Sequence, residues 1–572
     1  MKPTLTRLQR TVAGLLAAPL IGIAGPTLKP DWRDQVLYFV LTDRFDDGDP
    51  RNNDQGRGEY RPGSPDHYQG GDFAGLQRRL GYIQGLGATG VWVTPPVANQ
   101  WLDPSGHSAG YHGYWAENFL RVDPHLGRPA DYRRLAQALH ARGMTLVQDI
   151  VVNHTGNYFG YRPQAWRADD PTAGYWPHPD SPPVARPSQW PFSLNDPRRA
   201  EDRRAGIYHW TPDIRDHANR EEVLTGQMAG LDDLNTEHPT VRRALRRSHG
   251  HWLRTYGVDG FRVDTAFYVP PDFFTDFLHS RDPQAPGMAR LARQLGRPGF
   301  FSFGEGFGID GPGEDRQTRL IESYTGPGRL PGMLNFPLYG SLNAVFAGGR
   351  PPAELGDRIQ TMMRVHHDPW HLPSFVDNHD VDRFLAGGTL PSLHQALLSI
   401  FTLPGIPVIY YGTEQGLREQ RASLFAAGVG SGGRDRFDPS TPTYRLLAEL
   451  AALRRDADHL FSRGTPQVLA AQAGGPGAVA WRTSLGRQQA LVVLNNATHE
   501  VLLDSLPTGL PPGTRLQGRF GLGGRPADLT VDAVGQVSLR LPAHAGLVWL
   551  ARGQGAAPAV DPLALEIDPP SA

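Results

Sequence analysis

The stretch Val258-Asp-Gly-Phe-Arg-Val-Asp264 is a short, mostly apolar run that carries Arg262 and Asp264 at its end. Side chains two residues apart on a strand point the same way, so the guanidinium and the carboxylate are predicted to face one space. A neighbouring cation favours the ionised carboxylate, which suits a nucleophile. Taken alone, an Arg-x-Asp pair is more often a structural ion pair than a catalytic group.

Three other predicted strands also end in polar side chains. These ends are Asp149-Ile-Val-Val-Asn153-His154, Gly304-Glu305 and Phe375-Val-Asp377-Asn378-His379-Asp380. Reactive groups of a parallel barrel lie at the C-terminal ends of its strands. Four clusters in chain order therefore favour one shared site over isolated structural ion pairs. Two carboxyl groups about 5–5.5 Å apart, here Asp264 and Glu305, would be typical of a retaining glycosidase.

Apolar strands alternate with amphipathic helices on both sides of this stretch, which indicates βα units and a parallel sheet. Helices are predicted at 73–86, 130–142, 239–256 and 443–455. Eight strands are predicted, at 36–42, 90–94, 145–150, 258–264, 300–304, 333–336, 374–376 and 406–411. The predicted fold class is α/β, a (β/α)₈ TIM barrel.

Changes in pattern divide the chain further. Residues 155–230 have no clear period and are predicted to be an inserted B domain, which leaves 30–154 and 231–457 for the barrel. Residues 458–552 hold short β-like runs typical of an antiparallel β-sandwich, and 553–572 are predicted to be a flexible tail. Residues 1–29 have the basic start and short apolar run of a signal peptide, so the protein is expected to be secreted or periplasmic.

The bulk composition excludes several classes of function. The 572 residues carry a formal net charge of −1, so neither nucleic acid nor a membrane surface is an expected partner. There is no cysteine, which excludes disulfides, thiol catalysis and thiolate–metal sites.

The four clusters, in this order, resemble the four signature regions of the α-amylase superfamily of glycoside hydrolases. Further matches are Gly110-Tyr-His-Gly-Tyr-Trp115, Leu231-Asp-Asp-Leu-Asn235 and Gly405-Ile-Pro-Val-Ile-Tyr-Tyr-Gly412. The resemblance covers roughly residues 31–455, and some features are similar to the cyclodextrin glucanotransferase-like branch. It implies a calcium-bound barrel with the B domain and the C-terminal sandwich already outlined.

The resemblance also implies a role for each matching residue. Asp264 would be the nucleophile, Glu305 the acid/base and Asp380 the transition-state stabiliser, where its charge would also help to keep Glu305 protonated. The implied substrate-binding residues are His112, Tyr114, His154, Arg262, Phe307 and His379. This chain departs from the family pattern after the nucleophile, where Phe267 and Tyr268 replace a frequent Lys-His pair; acceptor-side specificity therefore stays open.

Two Ca²⁺ sites are candidates. The turn at 46–53 is crowded with hard oxygen ligands, although an ordinary Asp/Asn/Gly turn is the alternative. The resemblance favours a metal there, held by Asp47, Asn52, Asn53, Gly70 and Asp72. It implies a second ion between barrel and B domain, with Asn153 and Asp233 as side-chain ligands and Tyr268 as the source of a backbone carbonyl.

The expected function is hydrolysis of α-1,4-glucans, with the glucan as the only expected partner. The alternative is an α-glucan transglycosylase or cyclodextrin-acting enzyme. A single β domain after the barrel favours the hydrolase, since cyclodextrin-forming relatives usually carry two more, and the lack of an N-terminal domain predicts a monomer. A third interpretation, a non-catalytic glucan-binding protein, is disfavoured because all three carboxylates are present.

Overall fold

The computed structural model describes residues 30–552. The predicted signal peptide at 1–29 and the predicted flexible tail at 553–572 lie outside the described residues. No helix within 30–552 is both long enough and apolar enough to cross a membrane.

Eight parallel strands form the predicted barrel. Their residues are buried throughout, as expected where helices cover a parallel sheet. The strands are β1 (Leu37–Val40), β2 (Gly90–Val93), β3 (Thr145–Ile150), β4 (Gly260–Val263), β5 (Phe301–Gly304), β6 (Gly332–Met333), β7 (Pro373–Ser374) and β8 (Ile406–Tyr410). The predicted fold class is thus confirmed, although the strand predicted at 333–336 ends at Met333 and a helix begins at Phe336.

The barrel has a seam between its two shortest strands. Hydrogen-bonded neighbours run in the order β6-β5-β4-β3-β2-β1-β8-β7. Across the remaining gap, the Asn335 amide donates to the Pro373 carbonyl at 2.9 Å. The approach is close, because a Cβ at Gly332 would lie 2.1 Å from the His371 carbonyl oxygen. The barrel is therefore nearly closed, because the residue pair Asn335 and Pro373 joins the segment after β6 to β7.

The helices that cover the barrel agree with the predictions except at the first. The predicted helix at 73–86 is two helices, Phe73–Arg78 and Leu80–Gly85, because Arg79 leaves helical geometry. The Arg79 guanidinium donates to Asp46 at 2.8 Å and lies over the Phe437 ring. The other main helices are Pro129–His140, Pro239–Tyr256, Pro271–His279, Met288–Gln294, Arg316–Thr325, Phe336–Leu342, Ala353–Val365, Leu390–Thr402 and Pro442–Asp456.

The excursion between β3 and β4 has little regular structure. It contains a hairpin of Phe159–Tyr161 with Tyr175–Pro177 and two helices, Ala200–Ala205 and Arg220–Thr225. Its base is tied down by buried Asp232, whose carboxylate accepts the backbone N–H groups of Tyr158 and Phe159. The limits 155 and 230 of a separate B domain stay a prediction.

The C-terminal region is an antiparallel β structure, as predicted. One sheet has six strands and the other two, in the orders β9-β10-β11-β16-β13-β14 and β12-β15. The two sheets share one apolar core, which includes Leu491, Leu503, Leu539 and Trp549. The strands are β9 (Thr465–Ala471), β10 (Ala478–Leu485), β11 (Gln488–Asn495), β12 (Val501–Pro507), β13 (Arg515–Gly521), β14 (Leu529–Thr530), β15 (Gln536–Leu541) and β16 (Gly546–Arg552).

Candidate active site

Asp264 and Glu305 are placed side by side by the parallel pairing of β4 and β5. Each follows directly on its strand, and the Glu305 amide donates to the Val263 carbonyl at 2.8 Å. Thr265 has a left-handed backbone, with φ of +46°. Strain of this kind in a non-glycine residue is sustained by surrounding structure and is typical of functional sites. The strand ends thus hold the two carboxylates against one another.

Arg262 links three carboxylates from within the barrel. Its Nη1 lies 2.8 Å from Asp264 Oδ1 and 2.9 Å from Asp149 Oδ1, while its Nη2 lies 2.5 Å from Glu305 Oε1. The guanidinium is fully buried and Asp149 also accepts from Trp92 Nε1. Arg262 therefore orients both Asp264 and Glu305, whereas the sequence assigned it to the nucleophile alone.

Burial dominates the electrostatics of this cluster. It raises the pKa of Asp264 well above the ordinary value, and the opposing effect of Arg262 does not overcome it. The predicted effect of the cationic neighbour is present, since Arg262 lowers the Asp264 pKa, but burial outweighs it. Burial likewise raises the pKa of Asp149 to about 7, against Arg262 and the Tyr114 hydroxyl. The carboxylates in turn raise the pKa of Arg262, although burial opposes them, so Arg262 stays charged.

Tyr114 and His379 form an aromatic wall beside the carboxylates. Their ring centroids are 5.4 Å apart and the planes 21° from parallel. The Tyr114 hydroxyl donates to Asp149 Oδ2 at 2.8 Å, which fixes the ring. The Tyr114 amide donates to His112 Nδ1, and its carbonyl lies 3.2 Å from His154 Nε2. The structure thus gathers all four predicted sugar-binding rings of this group.

The three histidines are neutral hydrogen-bonding groups rather than cations. Burial lowers the pKa of His154 to about 4. Burial also lowers the pKa values of His112 and His379 well below the ordinary range, and Arg421 adds to both effects. Neutral imidazoles can donate to or accept from sugar hydroxyls without repelling Arg262.

Asp380 differs from the other two carboxylates in being accessible. Its side chain is 37% exposed, compared with 9% for Asp264 and 10% for Glu305. Asp380 lies beyond β7, across the seam from Glu305. Its carboxylate lies 3.2 Å from both His379 Nε2 and Arg421 Nη2. The three predicted catalytic residues therefore border one space, two buried and one open.

The residues on the predicted acceptor side differ in their exposure. Phe307 is 61% exposed and meets Phe336 edge-on at 4.9 Å. Phe267 is buried against Gly306, where a Cβ would lie 2.4 Å from its ring. Tyr268 is half-buried, and burial and the charges of Glu305 and Asp264 raise its pKa. Only Phe307 and Tyr268 of this group therefore present aromatic surface near the site.

The predicted calcium turn contains buried oxygens without a partner. Asp47 Oδ1, Asn52 Oδ1 and Asn53 Oδ1 are all unpaired. Gly70 has φ of +105°, and a Cβ there would lie 2.3 Å from Asn53 Nδ2. Asp72 differs, because both its oxygens already accept, from N–H groups that include those of Gly48, Asp49 and Gly75. The donor set suits a hard cation, with the Asp72 carboxylate capping a helix beside it.

The second predicted calcium position also contains buried side-chain oxygens without a partner. Asn153 Oδ1 and Asp233 Oδ1 are buried and unpaired, while Asp233 Oδ2 lies 2.5 Å from His209 Nδ1. Asp233 also forms a β-bridge with His154. Within residues 30–552, no group of three or more His, Cys, Asp or Glu side chains is arranged to hold a metal. An ion at either position would therefore need amide or backbone oxygens as well.

Several residues of the site were missed from the sequence. Arg421 contacts Asp380 but follows β8 in a loop without a pattern. Asp232 belongs to the quoted motif Leu231–Asn235 but was given no role, His209 lies in the unpatterned excursion, and the strain at Thr265 has no sequence signal. The only available cue to Arg421 was the run of charged residues after Gly412, and nothing in the sequence connects that run to Asp380.

The chain is a (β/α)₈ barrel protein whose site, at the C-terminal ends of the strands, contains three carboxylates. Residues 39–445 match the family model described as alpha amylase, catalytic domain. The chain belongs to this family.

Curated relatives include both hydrolases and transferases by name. The alpha-amylase of Streptomyces lividans is 30% identical over 88% of this chain, which spans only 58% of that relative. The cyclomaltodextrin glucanotransferase of Klebsiella oxytoca is 28% identical over 75% of this chain and 65% of its own length. Sequence similarity alone therefore does not show whether the chain is more like the alpha-amylases or the cyclomaltodextrin glucanotransferases.

The similar solved structures likewise include both alpha-amylases and cyclomaltodextrin glucanotransferases. CldA, described as the first cyclomaltodextrin glucanotransferase with a three-domain ABC distribution, matches with a TM-score of 0.73 and 26% identity over 90% of this chain and 99% of its own. An Anoxybacillus alpha-amylase matches with a TM-score of 0.70 and 25% identity over 92% and 100%. CldA is described as having three domains, so the number of domains does not by itself separate a glucanotransferase from a hydrolase.

Proposed function

We propose that the protein is a retaining hydrolase of α-1,4-glucans such as starch and maltooligosaccharides. The observation that carries this proposal is the contact of one buried guanidinium, Arg262, with both Asp264 and Glu305. Two carboxylates bridged in this way lie close together, as retaining glycosidases require, whereas inverting enzymes keep about 6.5–9.5 Å between them.

The chemistry proceeds in two displacements at the same carbon. Glu305 gives its proton to the glycosidic oxygen while Asp264 attacks the anomeric carbon, so the bond to the leaving chain breaks and a glucosyl–Asp264 ester forms. Glu305 then takes a proton from water, which attacks that carbon and releases Asp264. Two inversions retain the α-configuration.

The surrounding residues bind the reacting sugar in this proposal. Tyr114 supplies a ring face, and His112, His154 and His379 supply neutral nitrogens for its hydroxyls. Asp380 carries negative charge at the open side of the site, where it stabilises the positive charge that develops on the sugar ring.

Calcium is part of the proposal as a structural ion. The unpaired oxygens of Asp47, Asn52 and Asn53 would hold one ion, and those of Asn153 and Asp233 a second, with a Tyr268 carbonyl implied by the family resemblance. The second ion would fix the bridge between His154 and Asp233, and hence the ring of His154. It takes no part in the bond changes.

A second candidate function is transfer of the glucosyl group to another sugar. The exposed ring of Phe307 favours it, because an aromatic face at the rim can hold an acceptor sugar against the covalent intermediate. The cyclomaltodextrin glucanotransferases among the relatives support the same alternative.

A product time course on soluble starch, maltoheptaose, pullulan and cyclodextrin tests the function, with Glu305→Gln as control. Short maltooligosaccharides of retained α-configuration are expected, with the rate about 10²- to 10⁴-fold lower in the control. Longer or cyclic products would favour the transferase. Products unaffected by Glu305→Gln, or glucan binding without turnover, would contradict the assignment.

Export to a secreted or periplasmic location and a monomeric state are further proposals. Cell fractionation tests the first and size-exclusion chromatography with light scattering tests the second. A dimer of about twice the chain mass of 62.8 kDa would contradict the second.

A further inference from the structure

Asp380 depends on a small number of contacts for its orientation. Its amide donates to Asn378 Oδ1 at 2.9 Å, and among the described residues its carboxylate forms ion-pair contacts only with His379 and Arg421. His379 is neutral because it is buried. Arg421 is therefore the charged group that holds this carboxylate, which is otherwise exposed.

Arg421 is itself fixed by two further side-chain contacts, and its neighbour Gln420 adds one more. Its Nη1 donates to the Tyr111 hydroxyl at 3.0 Å, and its Nε donates to the His379 carbonyl at 2.9 Å. Gln420 donates to the same carbonyl at 3.0 Å. The loop after β8 thus grips the loop after β7 at the peptide that joins His379 to Asp380.

We propose that Arg421 is a positioning residue for Asp380, which holds the carboxylate directed into the site before substrate binds. This inference deepens the proposed function and rests on it, since it concerns the third carboxylate of that site. Arg421 does for Asp380 what Arg262 does for Asp264 and Glu305. A carboxylate held in advance needs no reorganisation as charge develops in the transition state.

A different role for Arg421 would be direct contact with a distant sugar. It lines a cavity of about 400 Å³ together with Asp66, Tyr111 and Glu419. A sugar-binding role would affect long substrates alone. A positioning role would affect every substrate equally, because Asp380 acts on the sugar that reacts.

Steady-state kinetics of Arg421→Gln, Arg421→Lys and Asp380→Asn on α-maltosyl fluoride and maltoheptaose separate these roles. Arg421→Gln is expected to lower kcat by about 10- to 100-fold on both substrates, the range of a lost charge-assisted hydrogen bond, with KM changed less than about twofold. Arg421→Lys should recover part of kcat. A raised KM on maltoheptaose alone, with kcat intact, would overturn the proposal.

A double-mutant cycle gives a second readout. If Arg421 acts through Asp380, the double variant Asp380→Asn/Arg421→Gln should be no slower than Asp380→Asn alone. Multiplied losses would overturn the proposal. Arg418→Gln is the matched control, because Arg418 lies in the same loop and donates to the Leu385 carbonyl; it should keep kcat within about twofold.

Crystal structures of the substrate-free wild type and of Arg421→Gln provide a test that does not depend on turnover. The Asp380 carboxylate should leave its wild-type orientation in the variant, while Asp264 and Glu305 stay in place. An unmoved Asp380 would overturn the proposal even in an active enzyme. A wild type inactive on all α-glucans would instead overturn the proposed function, and the shift of Asp380 would still be measured. Arg421→Lys serves for both measurements if Arg421→Gln does not fold.

Discussion

The two halves of the site are held in different ways. Asp264, Glu305 and Asp149 lie at strand ends and share a guanidinium buried in the barrel. Asp380, Tyr114 and His154 lie on loops: another loop holds Asp380, Asp149 holds the Tyr114 ring and, in our proposal, calcium holds the bridge at His154. Interactions in the buried half are strong because solvent does not screen them, and a broken contact there leaves a buried charge unpaired. The strand half should therefore tolerate change poorly, whereas the loop half should respond to solution conditions.

Removing Arg262 should have the largest effect. Arg262→Met leaves three buried carboxylates without their cation, so we expect the free energy of unfolding to fall by about 3–5 kcal/mol and activity to be lost. Urea unfolding and starch hydrolysis measure both. Arg358→Met is the matched control. Arg358 is also buried and is paired with Asp310, but it does not contact the carboxylates of the active site. Arg358→Met should destabilise the protein and leave kcat unchanged. Equal loss of kcat in both variants would contradict the role of Arg262 in orienting Asp264 and Glu305.

Calcium removal should act on the loop half. A ligand present at 100 to 1,000 times its Kd stabilises the folded protein by about 3–4 kcal/mol. We therefore expect EGTA to lower the Tm and Ca²⁺ to restore it, as followed by calorimetry. Asp233→Asn should weaken this response, because it removes a charged ligand. An unchanged Tm in EGTA, with no calcium detected by elemental analysis, would contradict the proposed ions.

Alkaline pH should loosen the loop that carries Tyr114. His125 is buried between Asp123 and Glu59; burial lowers its pKa, but the two carboxylates outweigh burial and raise the pKa to about 9. Asp123 also accepts from the Asn99 amide, and Asn99 Oδ1 accepts from the Trp115 amide.

The sign of this pH dependence follows from a raised pKa. The stabilisation is complete below about pH 6.5, the ordinary histidine value, and is lost as the pH rises through about 9. It should amount to at most about 3 kcal/mol. Urea unfolding between pH 6 and 10 measures it, and His125→Gln should be less stable at pH 6 and lack this loss. A wild type equally stable at pH 7 and pH 10 would contradict the assignment.

Phe307→Ala should have the smallest effect. The ring is exposed, so stability should change by less than about 0.5 kcal/mol. We expect the ratio of transfer to hydrolysis to fall a few-fold, because a weaker acceptor site lets water compete for the intermediate. Product analysis with maltose as acceptor measures this ratio. An unchanged ratio would remove Phe307 from the acceptor side.

The strand half was largely readable from the sequence, because its signal is local. Apolar runs with polar ends predicted all eight barrel strands and placed Asp264 and Glu305 on neighbouring ones. The loop half depends on contacts between distant segments. Arg79 breaks the first helix to reach Asp46, and Arg421 reaches Asp380 from another loop. The sequence indicated the effect of Arg262 on the Asp264 pKa but not the larger effect of burial, since desolvation depends on the whole fold.

The seam between β6 and β7 is the place where we expect the barrel to open locally most easily. Both strands are only two residues long, and the Asn335 amide bridges them by a hydrogen bond to Pro373. We expect this amide to exchange its hydrogen faster than those in the middle of β3 or β4. Glu305 and Asp380 lie on opposite sides of the seam, so an opening there would widen the gap between these two carboxylates.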